Sequence, residues 1–247
     1  MLNILRRLPR RGCLLLILIA LVVIILGAYA LLRFLGGGSD SNDVIARWFA
    51  DPSSRPALTT TMNRTACPDA PFALPSDGFI GLLWEDPAAP YTAWNPHSGI
   101  DIFGDGAPGT VPVYAAYDGY LSRLPEWFST VIIRHDDPLQ PGRTIWTYYT
   151  HMASRDAARS FIVDDFPAGT SEKPVTQGTL LGYQGEYAGT GAPIGLHLHF
   201  SIVLSDDADS FRNEAQIANT LDPSPYFGMN LNITGNPSRP IRCQIAE

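Results

Sequence analysis

Basic side chains are scarce in most of this 247-residue chain. Five of its 17 Lys and Arg fall within the first 33 residues, whereas all 24 Asp and Glu come later. The part beyond residue 36 therefore holds 12 basic against 24 acidic groups, roughly −12 at neutral pH. Nucleic acid binding requires a basic footprint, and this balance excludes it. Cysteine is limited to three residues, and one of them, Cys13, borders a long apolar run. Helical periodicity is sparse and no internal repeat is present. Histidine is limited to five, and none is left for a surface or a tail.

The dominant pattern is that of strands. From about residue 79, short apolar runs alternate with Gly/Pro turn signals: Phe79-Ile80-Gly81-Leu82-Leu83-Trp84, Val111-Pro112-Val113-Tyr114-Ala115, Thr130-Val131-Ile132-Ile133-Arg134, Thr144-Ile145-Trp146-Thr147-Tyr148-Tyr149, Thr179-Leu180-Leu181-Gly182-Tyr183 and His197-Leu198-His199-Phe200-Ser201-Ile202-Val203. This spacing predicts a mainly β fold, an antiparallel sheet or sandwich. Helix is expected in few places: an amphipathic segment over 43–50 capped by Asn42 or Asp43, and stretches within 153–162 and 210–218. Residues 51–71, rich in Pro, Ser and Thr, read as irregular.

The N-terminus is built differently. Residues 14–32 carry no charge and are long enough to span a hydrocarbon layer as a single transmembrane helix. Arg6, Arg7, Arg10 and Arg11 precede the run and Arg33 follows it, which orients the chain with its body outside the cytoplasm. The rival reading is a signal peptide cleaved after Ala28-Tyr29-Ala30. The apolar character continues through Leu31, Leu32, Phe34 and Leu35, which favours an uncleaved anchor. Residues 36–42, Gly-rich with Ser, Asp and Asn, form a flexible tether by composition. Cys13 is expected to be inert or lipidated.

The histidines fall in four short segments that each read as a strand or strand end: His97, His135, His151, and the pair His197 and His199. Residues two apart in a strand share a face, so His197 and His199 project side by side while Leu198 and Phe200 turn to the core. His97 and Asp101 are four apart around Gly99. Two histidines and a carboxylate make a zinc set, and three protein ligands leave a position open, as catalytic sites do. The other histidine of the pair and His151 would then handle protons. Each signal alone has an ordinary structural reading, and their concurrence in one domain argues for a site. His135 ends a β-branched run and reads as structural.

These residues carry a resemblance. The ordered segments His97-x-Gly99-x-Asp101, Val113-Tyr114-Ala115-Ala116-x-Asp118-Gly119, Val131-Ile132-Ile133-x-His135, Tyr149-Thr150-His151-Met152, Gln177-Gly178-x-Leu180-Leu181-Gly182 and His197-Leu198-His199-Phe200 resemble the LytM/lysostaphin-type zinc metallopeptidases over about residues 72–204. The resemblance implies one zinc per chain on His97, Asp101 and His199, with His151 and His197 as catalytic histidines. It implies a groove over one sheet and hydrolysis of peptide bonds in peptidoglycan stem peptides or crossbridges. In this reading residues 1–35 are the basic stub and anchor, 36–71 a lead-in, 72–204 the peptidase domain and 205–247 a C-terminal extension. Met152 stands where the family usually has leucine, and residues 188–195 approach the last motif with a longer loop. Cys67 and Cys243 bracket the domain, and a bridge between them is permitted in an exported protein. In a bacterial host the sequons at Asn63 and Asn232 are chance matches. The acidic body argues against holding anionic wall polymers by charge. His197 is expected mainly to move the proton and His151 mainly to steady the oxyanion. Two rivals remain open at this stage: a catalytically silent module that binds wall peptide, and a structural zinc domain, which would favour four closed ligands. Ser98 and Ser201 read as ordinary strand residues. Tyr114, Tyr149, Trp94, Trp146 and Tyr187 read as core or groove rim.

Overall fold

Alternation of apolar and polar residues along short strands produces a predominantly antiparallel β structure. The computed structural model describes residues 10–35, 40–189 and 194–244. Its strands are β1 (Phe79–Ile80), β2 (Ile100–Phe103), β3 (Pro112–Tyr114), β4 (Gly119–Ser122), β5 (Val131–Asp136), β6 (Thr144–Thr150), β7 (Lys173–Val175), β8 (Leu180–Tyr183), β9 (Leu198–Leu204) and β10 (Thr220–Leu221). Eight of them form one sheet in the order β1-β2-β9-β6-β5-β4-β7, with β10 also on β9, and β3 pairs with β8 separately. Every strand pair is antiparallel.

The register of the central strands sorts the residues by face. Ile100, Phe200 and Tyr149 stand in one row across β2, β9 and β6, and Asp101, His199 and Thr150 stand in the next. Adjacent rows point to opposite faces. The first row enters the main core with Ile102, Leu198, Ile202, Val131, Ile133 and Leu121, covered by Val113, Leu181 and Met152. The second row points the other way, toward the candidate site. A smaller apolar group of Ile132, Trp146 and Val203, with Trp127, Tyr148 and Phe211 against it, walls that second face.

Segments flanking the sheet pack onto it. Helix α2 (Ser41–Ala50) sets Trp48 in a stack with Phe79 at 5.3 Å, and Trp48, Leu58, Phe79 and Phe103 form a separate apolar cluster. Leu58 lies in α3 (Arg55–Leu58), within the stretch expected to be irregular. Tyr226 and Phe227 of α4 (Ser224–Phe227), with Met229, Leu231 and Ile241, join the main core. Cys67 and Cys243 are bridged, with Cα atoms 5.5 Å apart.

Four helical or strand expectations differ from the structure. Residues 153–162 form a turn closed by an Ala153–Ser160 bridge, because Ser154 and Asp156 side chains take the backbone N–H groups of Arg159 and Ala158. Residues 210–218 contain only the start of a 3₁₀ turn at Ile217–Asn219, since Asp206 and Asn213 capture local N–H groups in the same way. The run over 79–84 pairs as a strand only at Phe79 and Ile80. The cap of α2 is Asp40, and Asn42 lies inside the helix.

Helix α1 (Arg10–Leu35) covers the apolar N-terminal run, and its described side chains, residues 15–29, are exposed. Among the described residues no helix is long and apolar enough to cross a membrane. The expected tether falls partly outside the described residues at 36–39, as do 190–193 of the loop before the last histidine pair and the side chain of Cys13.

Candidate active site

Strand pairing brings together residues that lie about a hundred positions apart. Asp101 faces His199 across the β2–β9 ladder, and His97 reaches the same point from the segment leading into β2. Gly99 makes this approach possible, since a Cβ there would run into the carbonyl of Phe200 and the hydroxyl of Ser201. His97 Nε2 lies 2.9 Å from His199 Nδ1 and 3.1 Å from Asp101 Oδ1, and His199 Nδ1 lies 2.9 Å from the same Oδ1. All three residues are buried.

The outer nitrogens decide what the inner ones can do. A backbone carbonyl only accepts, so His97 Nδ1–H must donate to Leu83 O at 3.0 Å, leaving a lone pair on Nε2. His199 Nε2 sits 2.9 Å from Ser201 Oγ and 3.5 Å from Glu214 Oε2, which places its proton outward and a lone pair on Nδ1. Two imidazole lone pairs and a carboxylate oxygen thus converge on one point. Such an arrangement asks for a cation at its centre, and these three residues are the group among the described ones that could hold a metal ion. The electrostatics favour positive charge at this point, which a proton on His199 Nδ1 or a cation in its place supplies. Burial opposes charge on both His199 and Asp101, yet the hydrogen bonds to Asp101 and Glu214 raise His199 far above its usual range. The histidines around Asp101, His97 and His197 foremost, favour its ionised form and hold it well below its own range.

Two more histidines flank this group. His197 forms an antiparallel bridge with Gly185, and its Nδ1–H donates to Gly195 O at 2.8 Å. Its ring stacks on Phe103 at 5.0 Å, and its Nε2 lies 3.7 Å from Asp101 Oδ2. His151 comes one residue after β6, with a φ of 74°, a left-handed conformation costly for a non-glycine residue. Gly185 packs against the carbonyls of His151 and Ala153, where a Cβ would not fit. His151 Nδ1–H donates to Tyr187 O at 2.7 Å, and its ring centre is 4.5 Å from that of His197. Burial is the main cause that lowers both histidines; His151, also repelled by His197 and His199, falls to about 3. Both are therefore neutral near pH 7, with Nδ1 protonated and Nε2 a proton acceptor.

Of these groups, His151 and His199 border a cleft of about 420 Å³ whose walls include Tyr91, Trp127, Tyr148, Tyr187, Glu126 and Glu214. The five residues expected at the site, His97, Asp101, His151, His197 and His199, are brought together. His135 is not among them: it is buried elsewhere, with Nδ1–H on Asp118 O at 2.6 Å and Nε2 against Thr147 Oγ1 at 2.8 Å. Of the aromatics singled out in the sequence, Tyr187 borders the cleft. Tyr149 is buried in the main core, and Trp94 is 82% exposed. The sequence reading missed Glu214, Ser201, Tyr91 and Tyr148. Ser201 has a signal in hindsight, because it lies two residues beyond His199 on the same strand face.

No family model matches the chain, and no curated protein does. Among solved structures the chain is similar to lysostaphin from Staphylococcus simulans, at 22% identity over 60% of this chain and 48% of that one, with a TM-score of 0.38. It is similar to LytM from Ruminococcus gnavus, at 23% identity over 52% of this chain and 45% of that one, TM-score 0.35. It is also similar to the catalytic domain of the prophage-encoded M23 protein EnpA from Enterococcus faecalis, at 22% identity over 48% of this chain and 76% of that one, TM-score 0.31. The chain thus spans about half the length of the first two of these structures, to which it is similar at low scores.

Proposed function

We propose that this protein is a zinc endopeptidase that hydrolyses peptide bonds in peptidoglycan stem peptides or crossbridges. The observation that carries the reading is the convergence of His97 Nε2, Asp101 Oδ1 and His199 Nδ1 beside two neutral histidines, with His151 and His199 at an open cleft. The motif order supplies the substrate class.

In this reading His97, Asp101 and His199 hold one zinc. The ion, when bound, supplies a Lewis acid that polarises the scissile carbonyl and makes water more acidic. The remaining steps belong to the side chains. Gly195 O fixes the His197 ring so that Nε2 faces the reacting water and accepts its proton. Tyr187 O fixes His151 in the same tautomer. Its Nε2 also begins as an acceptor, so it can donate to the oxyanion only after receiving that same water proton, directly or by way of the His197 ring 4.5 Å away. Either imidazolium can then deliver that proton to the leaving amine. The aromatic walls, Tyr91, Trp127, Tyr148 and Tyr187, would hold the peptide chain, and the stack on Phe103 steadies the His197 ring. A structural zinc domain would present a fourth ligand, and among the described residues three atoms converge.

The same proposal places the protein outside the cytoplasm on an N-terminal anchor. Its support is the uncharged run over 14–32 and the arginine asymmetry around it. Residues 36–40 between the run and α2 would give a reach of about 12 Å, keeping the site near the membrane face of the wall. The protein should then stay with membranes in high salt and leave them in detergent. A soluble mature form starting at Leu31 would defeat the anchor.

The activity is tested by incubating the full chain, purified in detergent, with purified walls of several crossbridge types and weighing the released fragments. Cleavage at one kind of peptide bond is the expected result. Tight binding of wall peptide without any cut would favour the silent-module reading.

A further inference from the structure

Two carboxylates of the cleft wall, Glu126 and Glu214, lie outside the proposed ligand set and have no role in the steps above, and Glu214 is the one that approaches a converging histidine. Glu214 comes from the irregular stretch between β9 and β10, just after Asn213 turns the chain by accepting from the N–H of Ala215. Its Oε2 accepts from Ser98 Oγ at 3.2 Å and lies 3.5 Å from His199 Nε2. Ser98 is the residue after His97, so this one oxygen touches the surroundings of two of the three converging residues. The side chain is 20% exposed.

Among the described residues, the other partner of His199 Nε2 is Ser201 Oγ at 2.9 Å. A hydroxyl donates as readily as it accepts, so Ser201 alone leaves the His199 tautomer undecided. An ionised carboxylate only accepts. It makes the outward Nε2–H favourable and thereby keeps the lone pair on Nδ1, where His97 and Asp101 converge. At 3.5 Å the interaction is mainly electrostatic, the second prong of an N–H shared with Ser201. Charge gives a second reason. The three converging residues bring one negative charge to a divalent cation, and Glu214 adds another within the same buried region.

We propose that Glu214 is a positioning residue for the metal, acting through His199 and held in place by Ser98. This rests on the zinc reading above. Carboxylates behind a ligating histidine typically change metal affinity by 10–100-fold.

The test is zinc affinity of the full chain in detergent, measured by competition with a chromophoric chelator, alongside thermal unfolding of the zinc-free form. Glu214→Gln should weaken zinc binding about tenfold or more, with zinc-free unfolding close to wild type. Glu214→Asp, which keeps the charge, should recover part of the loss. Wild-type affinity in Glu214→Gln would overturn the inference and leave the zinc reading standing, whereas a wild type that takes up no zinc would overturn both. If Glu214→Gln does not fold, Ser98→Ala decides the matter. Loss of the hydroxyl that holds the carboxylate should weaken zinc binding several-fold, and unchanged affinity would reject the proposal.

Discussion

His135 and His151 share a good deal. Each belongs to the β5–β6 region, each donates Nδ1–H to a backbone carbonyl, and burial keeps each neutral, at about 4 and about 3. They differ in the second nitrogen. His135 Nε2 is occupied by the hydroxyl of Thr147, whereas His151 Nε2 has no protein partner among the described residues and borders the cleft. A break in strand geometry produces this difference. His135 shares its face of β5 with the core residues Val131 and Ile133, whereas His151, which continued pairing would put on that same face behind Tyr149, lies just past the end of β6 with a left-handed φ of 74° and borders the cleft. A histidine with both nitrogens satisfied is a structural residue. One with a single nitrogen fixed and the other open is equipped to move a proton.

The strongest way to break this contrast is to remove the centre the cleft histidines surround. His199→Ala should lose most bound zinc and bring hydrolysis near background, as read by metal analysis and fragment release. Full zinc content in that variant would show that the ligand set is wrong. Next in size, His151→Ala and His197→Ala should each keep zinc and lose turnover by roughly 100-fold or more. Zinc loss in either would move that residue into the ligand set.

His135→Gln should act in the opposite sense, leaving turnover per folded molecule near wild type and changing stability instead. An amide can donate to Asp118 O and accept from Thr147 as the neutral imidazole does. The wild-type histidine binds a proton in the unfolded chain below about pH 6.5 but in the folded chain only below about 4. Its neutral form therefore contributes stability in full above 6.5, and that contribution is lost as pH falls toward 4. The loss amounts to about 3 kcal/mol. Denaturant melts between pH 7 and 4 should show a shallower decline in the glutamine variant. An identical decline would mean that His135 titrates freely in the native state. The smallest effect belongs to Thr147→Val, which strands the buried His135 Nε2 and should cost about 1–3 kcal/mol without altering zinc content.

Sequence alone carried the site further than it carried the boundaries of the elements. Alternation in His197-Leu198-His199-Phe200 states which side faces the core, and the structure agrees. The run Val131-Ile132-Ile133 is apolar on both faces, so parity could not be read there, and the place of His135 rested on its neighbours alone. The turns at 153–162 and 210–218 were hidden because their polar side chains satisfy the backbone locally, which periodicity does not report. Glu214 gave no signal, since its relation to His199 depends on how an irregular stretch returns to the sheet. The carbonyls of Leu83, Tyr187 and Gly195, which set three tautomers, have no side-chain identity to read. The Cys67–Cys243 bridge was available only as a permitted pairing until the fold brought the lead-in and the C-terminal extension together.

The central claim is that the converging histidines and aspartate hold the metal that makes this a peptidase. It is tested most directly by stripping the full chain with a chelator, assaying wall digestion, and returning zinc in measured amounts. The expected result is no peptide bond cut in the stripped protein and recovery that saturates at about one zinc per chain. Undiminished cleavage by zinc-free protein, or zinc-loaded protein that cuts no bond in any wall type, would contradict it.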